Sequence, residues 1–405
     1  MQNLLVAQSG GPTAAINATL FGVLKKACEN ESRIGCVYAA RFGIKGVLRE
    51  DIFNLSKVVS KDVAKLLLQT PASCLGSCRH KLKDFEEEQE EYEKILEVFL
   101  KYDIKYFVYI GGNDSMDTVL KISEFLKEKQ ILDIFIVGAP KTIDNDLVLT
   151  DHCPGFGSAA KFVATTFAEL ERDCAVYDVE AVTLVETMGR DSGWLTAASC
   201  LSRVNGACGP SLIYCCEQSF SVEKFLEDVE EKLKEKPDLL VALSEGLKNE
   251  KDEYIFKINN KTKDMFGHSS NAGVAKFLAD VVKKNLGCKV RAIELNSPQR
   301  AASHLASKTD IEEAVLVGEK AVELAIENKT KVMVTILRKK EDYEVEFGCA
   351  LVEKIANKVK LMPEDFFQKN KRDVSYKAVR YLKPLIRGEL KIEYKNGVPV
   401  FLNVV

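Results

Sequence analysis

Histidine, proline and tryptophan are scarce in this 405-residue chain, at four, ten and one respectively. His80, His152, His268 and His304 have no spacing that would gather them on a metal, and Cys74 and Cys78 lack the second pair that a structural zinc site needs. No Pro/Ser/Gly-rich run divides the sequence as a linker would. No apolar stretch approaches the roughly 20 residues that cross a bilayer, so no membrane partner is expected. The first apolar run is about five residues long and passes straight into a glycine loop, unlike a secretory leader. Neither charge sign dominates: 57 basic and 60 acidic residues leave a net −3, and no nucleic-acid partner is implied. Basic clusters such as Lys81-Leu82-Lys83 and residues 369–372 read as solvated faces. The twelve cysteines are dispersed and sit mostly in apolar surroundings, as buried free thiols would, so a reducing compartment, the cytoplasm, is expected.

Several motifs are missing too. There is no GxxxxGK[ST] phosphate loop and no GxSxG elbow, and Gly155-Phe156-Gly157 lacks the third glycine of a dinucleotide fingerprint. What is present is 46% apolar residues in a chain long enough for two cores. Strand-like runs at 3–8, 36–41, 106–110, 134–137, 181–186, 239–244, 289–295 and 331–337 alternate with helical segments at 14–29, 60–69, 86–101, 116–129, 192–203, 271–285 and 310–328. This alternation predicts an α/β fold of right-handed βαβ units on doubly wound parallel sheets. Loop formers at 154–158 and 296–298 suggest that the chain crosses between domains more than once. The division expected is about 1–155 plus 299–350 for one domain and about 156–298 plus 351–405 for the other. A terminal hairpin is expected from 390–394 and 398–404 around Lys395-Asn396-Gly397.

Three loops follow strand-like runs and carry the chemistry: Gly10-Gly11-Pro12-Thr13, Gly111-Gly112-Asn113-Asp114-Ser115 and Pro140-Lys141-Thr142-Ile143-Asp144-Asn145-Asp146. Glycines after a buried strand let backbone approach an anion, and the next helix N-terminus points its amides there. Singly, each has a plain reading: a glycine turn, an Asx turn, a helix cap. Together, with a lysine and two carboxylates in the third loop, they suit phosphoryl transfer, which is mainly positioning and charge neutralisation.

In order and approximate spacing, Gly10-Gly11, Gly111-Gly112-x-x-Ser115, Thr142-Ile143-Asp144-Asn145-Asp146, Met188-Gly189-Arg190, Ser244-Glu245-Gly246 and Arg291-(x)8-Arg300 resemble the phosphofructokinase family. The resemblance runs from Gly10 to about Arg300 and implies two Rossmann-like domains with the active site in the cleft between them. It implies Asp144 as the base for a sugar C1 hydroxyl, Asp146 beside the metal, and Thr142 bonded to the transferred group. Met188, Gly189, Arg190 and Glu245 would hold the sugar phosphate, with Arg291 and Arg300 clamping its 6-phosphate. Gly11, Gly111, Gly112, Asn113 and Ser115 would line the donor, Arg79 would bridge donor and acceptor, and Mg²⁺ would meet Asn113 and Asp146.

Two positions bear on the donor. Asp114 and Lys141 stand where ATP-using relatives have glycine. A carboxylate at 114 falls where a nucleotide α-phosphate would lie, and like charges at ~4 Å repel by about 4 kcal/mol at an effective dielectric of ~20, roughly a thousandfold in affinity. Lys141 then offers charge to a short donor's leaving phosphate. The pair resembles the pyrophosphate-dependent branch, which implies reversible phosphorylation of fructose 6-phosphate by pyrophosphate to fructose 1,6-bisphosphate and phosphate, in glycolysis and gluconeogenesis. Ala181 replaces an arginine that relatives lend to a neighbouring subunit, and Ser297-Pro298 replaces an aromatic or histidine. Sedoheptulose 7-phosphate is therefore an alternative acceptor. An ATP-dependent sugar kinase, a non-catalytic sugar-phosphate-binding paralogue and a Rossmann dehydrogenase remain as alternatives, and a homodimer or homotetramer is implied.

Overall fold

The computed structural model describes residues 2–58, 65–176, 178–255, 273–340, 343–369 and 372–402. Thirteen strands are described among them. The first sheet uses β1 (Gln2–Gln8), β2 (Ile34–Ala40), β3 (Ile52–Asn54), β4 (Ile104–Gly111) and β5 (Phe135–Pro140). The second uses β6 (Ala181–Thr187), β7 (Leu212–Tyr214), β8 (Asp238–Ser244) and β9 (Lys289–Glu294). Then β10 (Val332–Lys340) and β11 (Glu344–Leu351) rejoin the first sheet, while β12 (Tyr394–Lys395) and β13 (Val398–Pro399) make a small hairpin.

The first sheet has the order β11-β10-β5-β4-β1-β2-β3. Its five central strands are parallel, and β3 and β11 are antiparallel edges. The period-2 alternation of a strand puts Leu4 and Val6 on one face with the helices Ile16–Cys28 and Lys308–Ile326. It puts Leu5 and Ala7 on the other face with Gln89–Lys101 and Asn113–Glu128. Both faces are thereby covered, as a doubly wound sheet requires. The two helices on the first face touch backbone to backbone: a Cβ on Gly22 would lie 2.0 Å from the Val315 carbonyl oxygen, and one on Gly318 2.1 Å from that of Thr19. The second sheet, β7-β8-β6-β9, is parallel throughout, with its own core built on Leu184, Val241, Phe225 and Leu278.

Two compact units result, Met1–Ser158 with Arg300–Val359 and Gly388–Val405, and Ala159–Gln299 with Lys360–Arg387. The segment after Gly388 thus belongs with the first unit and not, as the sequence suggested, with the second. Side-chain bonds explain its return: Gln69 Nε2 donates to the carbonyls of Glu393 (3.2 Å) and Val400 (2.6 Å), and the Leu402 amide donates to Thr70 Oγ1 at 2.9 Å.

Other elements differ from the sequence reading. Strand β11 was not expected; it folds back on β10 and packs Val345 and Phe347 against the first core. The helix Val222–Glu235 was not expected either, although Ser221 caps it by accepting the Lys224 amide at 3.2 Å. Residues 192–203, expected as one helix, form Trp194–Ala198 followed by a 3-10 segment, Ser199–Asn205. Residues 60–64, 271–272, 403–404 and His268 of the earlier expectations lie outside the described residues. Among the described residues no helix is long and apolar enough to cross a membrane.

Candidate active site

In the first unit, β1, β4 and β5 end side by side, because β1 and β5 both pair with β4. All three glycine-bearing or charged loops therefore leave one edge of the sheet, the carboxyl edge where ligands of such sheets sit. The Lys141 amide donates to the Gly111 carbonyl at 2.9 Å, and the Gly10 amide to the Cys78 carbonyl at 3.1 Å. Gly111 has no room for a side chain, since a Cβ there would lie 1.9 Å from Ser115 Oγ. Gly112 is the N-cap of Asn113–Glu128, and the exposed Asp114 lies in the first turn. A carboxylate there favours the helix dipole and occupies the end where an anion would otherwise dock.

Lys141 is the centre of this group. Its side chain is fully buried, and Nζ donates to the Gly11 carbonyl oxygen at 2.5 Å. Burial pulls its pKa down to about 8; the charges of Asp144 and Asp146 pull upward, and those of Arg300 and Arg79 push further down. Arg79 and Arg300, distant in sequence, thus share one electrostatic environment with the three charged residues of the 140–146 loop. Thr142 Oγ1 accepts the Asp144 amide at 3.1 Å, and the buried Asn145 holds φ +55, so the loop is tightly wound between its two carboxylates. The Thr142 amide donates to the Pro154 carbonyl at 3.2 Å, anchoring the loop on the segment before Phe156–Cys174.

Arg300 also joins this group, with its guanidinium 3.5 Å from where a Gly11 Cβ would stand. Arg300, expected with Arg291 as one clamp, falls in the first unit and Arg291 in the second. Asn113 also departs from expectation. Its Oδ1 accepts the Asn357 amide at 2.6 Å and its Nδ2 donates to the Lys358 carbonyl at 2.5 Å. Its amide thereby ties the helix start to residues 357–358, leaving one Oδ1 lone pair for any further partner. No group of three or more His, Cys, Asp or Glu side chains that could hold a metal by themselves occurs among the described residues.

In the second unit the Met188-Gly189-Arg190 turn follows β6. Glu245 Oε1 accepts the amides of Gly189 (3.1 Å) and Arg190 (2.9 Å), and the Met188 amide donates to Gln299 Oε1 at 3.2 Å. Arg190 is held at φ +50, a strained value for a side-chain-bearing residue, of order 1 kcal/mol or more, that this clasp maintains. Glu245 therefore builds the turn, a task that the sequence did not disclose. Arg291 lies elsewhere in the same unit: it pairs with Thr183 in register and donates to Asp173 Oδ2 at 2.5 Å on the exposed edge strand β9. Met188 lies five positions beyond Thr183, about 16 Å of extended chain.

The comparisons with known proteins agree with one another. Residues 3–325 match the family model described as Phosphofructokinase. The chain is 41% identical over 400 residues to a pyrophosphate–fructose 6-phosphate 1-phosphotransferase of Halomonas elongata, covering 98% of this chain and 94% of the relative. It is 39% identical over 411 residues to the protein of that name from Methylococcus capsulatus, covering 100% and 96%. Among solved structures it resembles a pyrophosphate-dependent phosphofructokinase from Nitrosospira multiformis, with a TM-score of 0.89, 38% identity, and coverage of 99% and 96%.

Proposed function

We propose that this chain, which belongs to the phosphofructokinase family, catalyses reversible transfer of a phosphoryl group from inorganic pyrophosphate to the C1 hydroxyl of fructose 6-phosphate. The observation that carries the reading is Lys141, buried and seated on the Gly11 carbonyl, within reach of the charges of Asp144, Asp146, Arg79 and Arg300. A cation there neutralises charge on a donor of two phosphates and on the phosphate that leaves. Asp144 accepts the proton from the sugar hydroxyl as its oxygen attacks the phosphorus; the bridging P–O bond breaks, and inorganic phosphate departs. Asp114, exposed in the first turn after Gly112, supports exclusion of a longer donor by like charge. The ATP-dependent alternative is not favoured by the names of the near-full-length relatives.

Mg²⁺ belongs to this proposal as a companion of the donor. Such ions usually keep waters and substrate phosphates and take one or two carboxylates, which suits Asp146 with Asp144 nearby. The acceptor phosphate is assigned to the Met188–Arg190 turn. Arg291, about 16 Å of strand short of that turn and exposed on an edge strand, supports service to a second copy, hence at least a homodimer. Twelve free thiols support a cytoplasmic setting.

Incubation with pyrophosphate, fructose 6-phosphate and Mg²⁺, followed by ³¹P NMR, tests the reading. Fructose 1,6-bisphosphate and phosphate should form, and Asp144→Ser should slow their formation by orders of magnitude. Near-normal turnover by that variant would remove Asp144 from the mechanism.

A further inference from the structure

The first unit contains a buried polar network that the reaction does not itself use. Gln8 at the end of β1 and Asn17 in the first helix are both fully buried, and Gln8 Nε2 donates to Asn17 Oδ1 at 2.9 Å. Every other side-chain bond of this amide pair except one, from Gln8 to the Ile16 carbonyl at 3.4 Å, goes to the backbone of one segment. Asn17 Nδ2 donates to the carbonyls of Thr70 (2.9 Å) and Ala72 (2.7 Å). Asn17 Oδ1 accepts the Cys74 amide at 3.0 Å, and Gln8 Oε1 accepts the Leu75 amide at 3.1 Å.

That segment leads directly to Arg79. Beyond Leu75 it is pinned on the glycine loop itself, where Ser77 Oγ donates to the Gly10 carbonyl at 2.6 Å and the Gly10 amide to Cys78. Residues 70–78 have no helix or strand of their own, and two residues, Ala72 and Gly76, sit at positive φ. A loop of that kind does not hold a long side chain in place by local preference. Buried amides with every bond satisfied do fix a unique arrangement, because any shift strands a polar group out of water.

We propose that Asn17, with Gln8, is a positioning residue for the pyrophosphate site: it sets the path of residues 70–75 so that Arg79 is delivered at the glycine loop. The inference rests on the functional reading above. Asn17 touches no reacting atom and acts through Arg79.

The test is a double-mutant cycle on the full-length enzyme with pyrophosphate as the varied substrate. Asn17→Asp keeps the acceptor for Cys74 and Gln8 but turns an oxygen toward the Thr70 and Ala72 carbonyls. It should raise KM for pyrophosphate about tenfold, with KM for fructose 6-phosphate within twofold of wild type. In an Arg79→Ala background the same change should add nothing further. Gln8→Met, a gentler change that loses the bonds from the Gln8 amide, should give a smaller rise with the same dependence on Arg79, and it serves if Asn17→Asp does not fold. An unchanged pyrophosphate KM, or effects that multiply independently of Arg79, would overturn the inference while the function stands. A wild-type enzyme that does not turn over pyrophosphate would overturn both.

Discussion

Lys141 and Gly11, 130 residues apart, are joined by a hydrogen bond from ammonium to carbonyl oxygen of 2.5 Å. The bond reaches across the end of β4, from the loop after β5 to the loop after β1, and leaves a buried cation facing the glycine loop. Its cost is visible in the lysine's pKa, which burial holds at about 8 against an ordinary 10.5.

A pH dependence follows from that value. The ratio kcat/KM for pyrophosphate should fall as pH rises through about 8, as the free enzyme loses the Lys141 proton. Stability should move the other way. Between about 8 and 10.5 the unfolded chain still holds the proton that the folded chain has released, so this lysine's contribution rises with pH. Rate profiles and denaturant melts of wild type and Lys141→Met across this range check both signs; both slopes should flatten in the variant.

Asn113 and Asp146 should separate in their metal dependence. Asn113→Asp loses the donation to the exposed Lys358 carbonyl and should lower stability by about 0.5–1.5 kcal/mol, with little change in the Mg²⁺ concentration at half-maximal rate if Asp146 is the main carboxylate ligand. Asp146→Asn should raise that concentration several-fold. Magnesium titrations and urea melts of the two variants distinguish them.

Glu245 should act as the clasp of the acceptor turn. With its carboxylate gone, the Gly189 and Arg190 amides lose their acceptor, and the strained φ +50 of Arg190 loses the bond made directly to it. Glu245→Ala should therefore raise KM for fructose 6-phosphate at least tenfold and leave KM for pyrophosphate within about twofold. Steady-state kinetics with each substrate varied in turn supply the comparison.

Gly22 and Gly318 should both be intolerant of a methyl group. Either one changed to alanine drives a Cβ to about 2 Å from a carbonyl oxygen of the facing helix. Each should cost about 1–3 kcal/mol or more, and the double variant less than their sum, since both changes part the same two helices. Thermal and urea unfolding measure this.

The longer parallel strands were legible from their apolar runs, and the glycine loops because each closes such a run; β3 and β7, three residues each, and the half-exposed edge β11 were not. Lys141, Asp144 and Asp146 were legible as a charged loop. What lay beyond local reading depends on contacts distant in the chain. The Asn113 amide is consumed by Asn357 and Lys358, 244 and 245 residues away. The tail after Gly388 returns to the first unit through Gln69, 324 residues before Glu393. The Gln8–Asn17 pair, only nine residues apart, gave no signal because amides inside an apolar run look like interruptions until their backbone partners are seen.

The measurement that bears most directly on the account is a donor comparison: initial rates with fructose 6-phosphate and Mg²⁺, using pyrophosphate or ATP, for wild type and Asp114→Gly/Lys141→Gly. Pyrophosphate should support wild-type turnover, ATP roughly a thousandfold less well, and the double variant should lose its preference for pyrophosphate. Turnover of wild type with ATP and none with pyrophosphate would contradict the account, as would a double variant whose donor preference is unchanged.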